Sequence, residues 1–201
     1  MKRLIIFCFL LSLPLASQAG AYVVDFNDVY TSFGSYYVSS GSLSDQGLTF
    51  SLKQGNPMAL YVWDGSNPNS NGTNNLIFGG ATVVNGVNYA AVMAVTRTGG
   101  GAFDLDSVQM SISFNDDHTS ETIYANGSPI TLGQGIQTYN IALKGVTEVD
   151  FTSIVQYSGT TPYWLMDNVT YQVSAVPLPA ALLLFGPGLA GLAAITRRFK
   201  K

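Results

Sequence analysis

Val108-Gln109-Met110-Ser111-Ile112-Ser113-Phe114 alternates apolar and polar residues without a break. Val108, Met110, Ile112 and Phe114 point to one side and Gln109, Ser111 and Ser113 to the other, the period-two pattern of a half-buried strand. Val169, Tyr171 and Val173 repeat the pattern at the far end of the body. The same criterion predicts strands over 22–26, 48–52, 60–63, 89–96, 122–125, 138–143 and 146–151. Asn126-Gly127, between the runs around Ile123 and Ile130, predicts a two-residue hairpin turn. Gly and Asn supply 31 of residues 20–175, enough to punctuate many short strands. No stretch shows a capped helical period. The expectation is an all-β domain, an antiparallel β-sandwich, with a jelly roll first among the sandwiches.

Charge is distributed unevenly along the 201 residues. All 12 acidic residues lie within 20–175, against three basic ones, Lys53, Arg97 and Lys144. That body carries a net charge of −9. It repels phosphate backbones, which argues against nucleic-acid binding. The remaining basic residues flank two apolar runs at the chain ends. Lys2-Arg3, the apolar run 4–15 and the small residues Ser17 and Ala19 read as a secretory signal peptide over 1–19, cleaved after Ala19. Its apolar run is too short to span a ~30 Å bilayer core comfortably. The only cysteine, Cys8, falls inside it, so the exported chain would hold no disulfide, thiolate metal site or cysteine nucleophile.

At the other end, Val176-Pro177-Leu178-Pro179-Ala180 opens a run over 178–195 that holds no charged residue. As a helix that run would be about 27 Å long, enough to cross a membrane. Arg197, Arg198, Lys200 and Lys201 close the chain as a basic stop that stays cytoplasmic, leaving the body outside. Motif, span and basic cluster, in this order at the C-terminus, resemble the PEP-CTERM class of bacterial sorting signals in its VPLPA-CTERM variant. The resemblance covers 176–201 and implies a Gram-negative bacterium that makes extracellular polysaccharide. It implies recognition by an exosortase, transient residence in the inner membrane and delivery to the cell surface or extracellular matrix. It implies nothing about the body, since such tails are joined to many unrelated domains.

Within the body, Val24-Asp25-Phe26-Asn27-Asp28 and Trp164-Leu165-Met166-Asp167-Asn168-Val169 resemble the first and last strands of galactose-binding-like jelly rolls, the fold of many carbohydrate-binding modules. That resemblance implies a structural calcium site with Asp25, Asp28 and Asp167 as ligands. Ca²⁺ takes several oxygen ligands, which suits carboxylates and backbone carbonyls.

The stretch 64–75 reads Asp-Gly-Ser-Asn-Pro-Asn-Ser-Asn-Gly-Thr-Asn-Asn. Asn67, Asn69, Asn71 and Gly72 mimic the start of an EF-hand loop, but Phe78 stands where a bidentate Glu is required. Two readings stay open. Beside Tyr61 and Trp63, the amides of Asn67, Asn69 and Asn71 can hydrogen-bond sugar hydroxyls while an aromatic face stacks on the ring. Alternatively the stretch is a long solvated loop whose Asn and Gly serve turn geometry.

Catalytic patterns are weak. The sole histidine, His118, lies beside Asp116 and Asp117 in a polar stretch, and no Gly-x-Ser-x-Gly elbow occurs. Asp104 and Asp106 alternate with Phe103 and Leu105, which places both carboxylates outward, the ordinary surface pattern. The expectation is a non-enzymatic exported surface or matrix protein with a carbohydrate-binding body. The alternatives are a passive structural or adhesive domain and, less favoured, a polysaccharide-active hydrolase.

Overall fold

The computed structural model describes residues 20–29, 35–37, 41–54, 60–66, 68–79, 82–84, 87–112, 119–154 and 163–174. The strands are β1 (Ala21–Val24), β2 (Ser35–Tyr37), β3 (Ser42–Asp45), β4 (Leu48–Gln54), β5 (Leu60–Trp63), β6 (Asn75–Gly79), β7 (Thr82–Val84), β8 (Val87–Tyr89), β9 (Ala91–Arg97), β10 (Phe103–Ile112), β11 (Ser120–Ala125), β12 (Ser128–Gly133), β13 (Gln137–Val146), β14 (Glu148–Ser153) and β15 (Tyr163–Val173). No helix occurs among the described residues. Two antiparallel sheets form a β-sandwich. The first runs β13-β10-β15-β6-β5-β2, with β1 also on β15, and the second runs β12-β11-β14-β9-β4-β3. β7 and β8 form a separate hairpin.

Alternation places the core. Val108, Met110 and Ile112 are fully buried in it with Phe103 and Leu105, while Asp104 and Asp106 sit on the outer side as expected. From the second sheet come Leu48, Phe50, Met93, Val95, Ile123, Val149 and Phe151. Trp164 joins the two layers. Its ring meets Phe78 of the same sheet edge-on at 4.7 Å and Phe151 of the opposite sheet at 6.0 Å. Each such large buried side chain contributes roughly 2–3 kcal/mol of apolar transfer. Gly20–Ser174 forms one compact unit that holds the fifteen described strands and the described core.

The Asn126-Gly127 turn forms as expected. Ala125 pairs with Ser128 and Ile123 with Ile130, and both turn residues take positive φ, 46° and 81°. Other expectations are adjusted by the structure. Phe26 leaves the first strand and turns with φ 55°, although its ring stays buried against Phe50. The stretch 89–96 breaks at residue 90 into β8 and β9, and 146–151 divides between β13 and β14. β6 was not expected. Every one of its residues is buried, so Asn75-Leu76-Ile77-Phe78-Gly79 lacks the alternation that marks a half-exposed strand. Asn75 therefore belongs to a strand and not to the preceding loop. Phe114 and Ser113 lie outside the described residues, as do 1–19 and 175–201.

Candidate functional site

On β5 the core takes Leu60 and Val62, so Tyr61 and Trp63 stand on the outer face of the first sheet, both half-buried. Their ring centroids are 6.0 Å apart with the planes tilted by 48°. Cross-strand pairing sets Ile77 beside Tyr61 and Asn75 beside Trp63. The indole Nε1 of Trp63 donates to Ser66 Oγ at 2.9 Å, which fixes the ring against the loop that follows. Ser66 is held in turn by its N–H donating to Asp64 Oδ1 at 3.1 Å. The donors on Ser66 hold the Asp64 carboxyl below its usual range.

The Asn-rich loop folds back over the outer face of the sheet. Asn69 Nδ2 donates to the Ile112 carbonyl at 3.1 Å, and Ser111 Oγ donates to the Asn69 carbonyl at 3.3 Å. Asn71 Nδ2 donates to Asp167 Oδ2 at 2.8 Å, and Thr73 Oγ1 reaches the same oxygen at 2.8 Å. Asn74 Nδ2 reaches the carbonyls of Phe26 and Val29. Asn75 is buried and donates to the Thr73 carbonyl. The amides of Asn69 and Asn71, expected at a sugar site, thus serve bonds within the protein. Asn67 lies outside the described residues.

Asp167 is the centre of this network, a role the sequence reading did not assign to it. It is fully buried on β15. Its Oδ1 accepts from Asn168 N at 2.7 Å and its Oδ2 also accepts from Asn168 Nδ2 at 3.2 Å. Asn168 sits at φ 43°, where the pairing of β15 with β10 shifts register, and its side chain also donates to Gln109 Oε1 at 2.9 Å. Burial pushes the Asp167 carboxyl above its usual range, and the bonds from Thr73 and Asn71 offset only part of that. One signal was present in the sequence: a carboxylate inside a run otherwise reading as buried strand needs donors.

The structure does not gather Asp25, Asp28 and Asp167 into a calcium ligand set. Among the described residues, no three His, Cys, Asp or Glu side chains are grouped so that they could hold a metal ion. Asp167 spends both oxygens on neutral donors. Asp25 Oδ1 accepts from Gln46 Nε2 at 2.8 Å and from Asn27 N at 3.2 Å. Burial acts to raise the Asp25 carboxyl, but the bonds from Asn27 and Gln46 prevail and lower it. Asp25 and Asp28 do share a neighbourhood with Asp45, whose carboxyl is raised by burial and then by their two charges. The charge of Asp25 also acts on Asp167, where it adds to the effect of burial.

Asp104 and Asp106 are equally committed. Lys144 Nζ lies 2.6 Å from Asp106 Oδ1 and 3.5 Å from Asp104 Oδ2. Gly145 N and Ser174 Oγ donate to Asp104 Oδ1 at 2.8 and 2.9 Å, and Gln172 Nε2 donates to Asp106 Oδ2 at 2.8 Å. The Gly145 and Ser174 bonds hold the Asp104 carboxyl below its usual range, the wrong direction for a general acid. His118, Asp116 and Asp117 lie outside the described residues, as do Val176, Pro177, Leu178, Pro179, Arg197, Arg198, Lys200 and Lys201. No protein-family model matches the chain, and no curated protein is significantly similar to it.

Proposed function

We propose that this is an exported surface or exopolysaccharide-matrix protein whose β-sandwich is a non-catalytic carbohydrate-binding module. The observation that carries the binding reading is the Tyr61–Trp63 pair: two aromatic rings side by side on an outer sheet face, one of them pinned by Ser66. An ordered aromatic pair of this kind is the element on which a pyranose-stacking site is built, at little cost in side-chain order. The route outward rests on the signal-like segment 1–19 and the PEP-CTERM-like segment 176–201, read by an exosortase in a Gram-negative inner membrane. A jelly-roll topology is supported by the chain's repeated passage between the layers: β10 in the first sheet, β11 and β12 in the second, then β13, β14 and β15 in turn on alternate sheets.

The test is co-sedimentation of residues 20–174 with the host's own extracellular polysaccharide, with calcium and with chelator. The expected result is binding that Tyr61→Ala and Trp63→Ala each weaken about tenfold or more, the loss of roughly 1.4 kcal/mol of stacking. Binding that survives both substitutions sinks the aromatic site. Calcium-dependent binding would support a shared ligand set at Asp25, Asp28 and Asp167, and equal binding with calcium and chelator would argue against it.

A second reading, a passive structural or adhesive domain without a glycan ligand, is favoured by one observation. Asn69 and Asn71 direct their amide donors inward, to Ile112 and Asp167. No binding by the unmodified domain would select it. Release of sugar would select the hydrolase alternative.

A further inference from the structure

The surroundings of Tyr61 and Trp63 carry charge of one sign. β2, β5, β6 and the stretch 64–74 contain a single charged residue, Asp64. A short chain of bonds ties it to the indole: Trp63 Nε1 donates to Ser66 Oγ at 2.9 Å, and Ser66 N donates to Asp64 Oδ1 at 3.1 Å. The same bonds from Ser66 favour the ionised carboxyl.

The cations of the body stand elsewhere. Residues 20–174 hold three Lys or Arg side chains, Lys53, Arg97 and Lys144. Lys53 is on the second sheet, paired with Glu148 Oε1 at 2.8 Å and Asp150 Oδ2 at 2.9 Å. Arg97 ends β9 of that sheet, with its guanidinium beside Gly101. Lys144 belongs to the first sheet, but it lies on β13, where Asp104 and Asp106 hold it. β10, β15 and β6 separate β13 from β5. Four strand spacings of ~4.8 Å put about 19 Å between those two strands, roughly twice the Debye length at physiological salt.

From this placement we infer that the Tyr61–Trp63 face takes an uncharged polysaccharide and discriminates against acidic ones, with Asp64 as the residue that sets the discrimination. The inference rests on the reading of this pair as the glycan site. A uronate, sulfate or pyruvyl group on a sugar stacked there would meet the Asp64 carboxylate, within a body that already carries −9. A sugar hydroxyl in the same place would meet an acceptor instead. Specificity then comes from repelling the wrong ligand as much as from holding the right one.

The host's extracellular polysaccharide, split on an anion exchanger into an unretained neutral fraction and a retained acidic one, supplies both probes. Co-sedimentation of residues 20–174 is run with chelator, so that calcium does not bridge carboxylates, and at about pH 8, where an ordinary histidine is uncharged. The neutral fraction is expected to carry the binding, with the acidic fraction weaker by about tenfold or more at low salt. Reducing the uronate carboxyls of the acidic fraction to primary alcohols is expected to raise its binding. Asp64→Asn removes the charge and keeps an oxygen for Ser66 N. It is expected to strengthen binding of the acidic fraction about threefold or more, the effect of one like-charge contact in water, and to leave the neutral fraction within about twofold. Unchanged thermal unfolding would show that the variant stays folded. An acidic fraction bound as tightly as the neutral one overturns the inference, and Trp63→Ala then tells whether the aromatic site itself stands. An equal response of both fractions to Asp64→Asn overturns the role of Asp64. Binding of neither fraction overturns the glycan site and this inference with it.

Discussion

Asn71 Nδ2 donates to Asp167 Oδ2 at 2.8 Å, tying the middle of the Asn-rich loop to a strand that follows 96 positions later. The contact sets the loop's place, because Asp167 is buried and, among the described residues, its carboxyl is met by neutral donors on Asn71, Thr73 and Asn168.

Asp167→Asn tests that arrangement through its pH dependence. The replacement puts two N–H donors, against at most the single O–H of a protonated carboxyl, among groups that themselves donate, a cost of about 1–3 kcal/mol. Burial, with the nearby charge of Asp25, raises the folded carboxyl above its unfolded value. The folded state therefore holds the proton more tightly. The stability contributed by Asp167 is full below the unfolded value and is lost as pH rises through the folded one. The deficit of Asp167→Asn relative to wild type is expected to be largest in acid and to shrink toward neutral pH. Thermal unfolding of both proteins from acid to neutral pH reads this, and a deficit that grows with pH contradicts it.

Gly65→Ala tests the loop from its other end. An ideal Cβ at Gly65 would overlap the backbone carbonyl of Gly72 and press on Thr73 N. Neither atom is the end of a flexible side chain, so the loop must open. The expected cost is about 1–3 kcal/mol, the range for overpacking. Limited proteolysis should then cut between 65 and 73, where the wild-type protein resists. If glycan binding depends on the pinned Trp63, it should fall in parallel.

Much of the fold was legible because one face of most strands is wet. The alternation in Val108–Ile112 and the Asn126-Gly127 turn both follow from that asymmetry. β6 escaped because both of its faces are buried, which removes the period. The loop's role escaped for another reason. Asn is equally suited to a sugar, a turn and a buried carboxylate, and only the fold brings Asn71 to Asp167. The outward aromatic pair was legible, since Tyr61 and Trp63 alternate with Leu60 and Val62.

Gly127→Ala isolates the hairpin. Nothing lies within 4 Å of where its Cβ would stand, so no contact is lost or crowded. The backbone sits at φ 81°, a region L side chains disfavour by about 1–2 kcal/mol. The turn also carries load, since Asn126 N donates to the Asp150 carbonyl at 2.9 Å and Asn126 Oδ1 accepts from Asp150 N at 2.8 Å. A urea midpoint lowered by that amount with an unchanged m-value is expected. An unshifted midpoint would mean that the turn relaxes to another type at no cost.

Trp164 separates ring packing from hydrogen bonding. It is fully buried, it touches aromatic rings from both sheets, and its Nε1 has no hydrogen-bond partner among the described residues. Trp164→Ala removes the ring that joins the layers, at a cost of about 3–5 kcal/mol. Trp164→Phe keeps an aromatic ring against Phe78 and Phe151 and removes the unpaired N–H. Leaving such a group buried costs about 1–3 kcal/mol, so its removal offsets part of the lost volume. The Phe variant is expected to retain most of the wild-type stability in chemical unfolding, with a loss less than half that of the Ala variant. Equal losses would show that the indole N–H is bonded in solution and contributes as much as the ring.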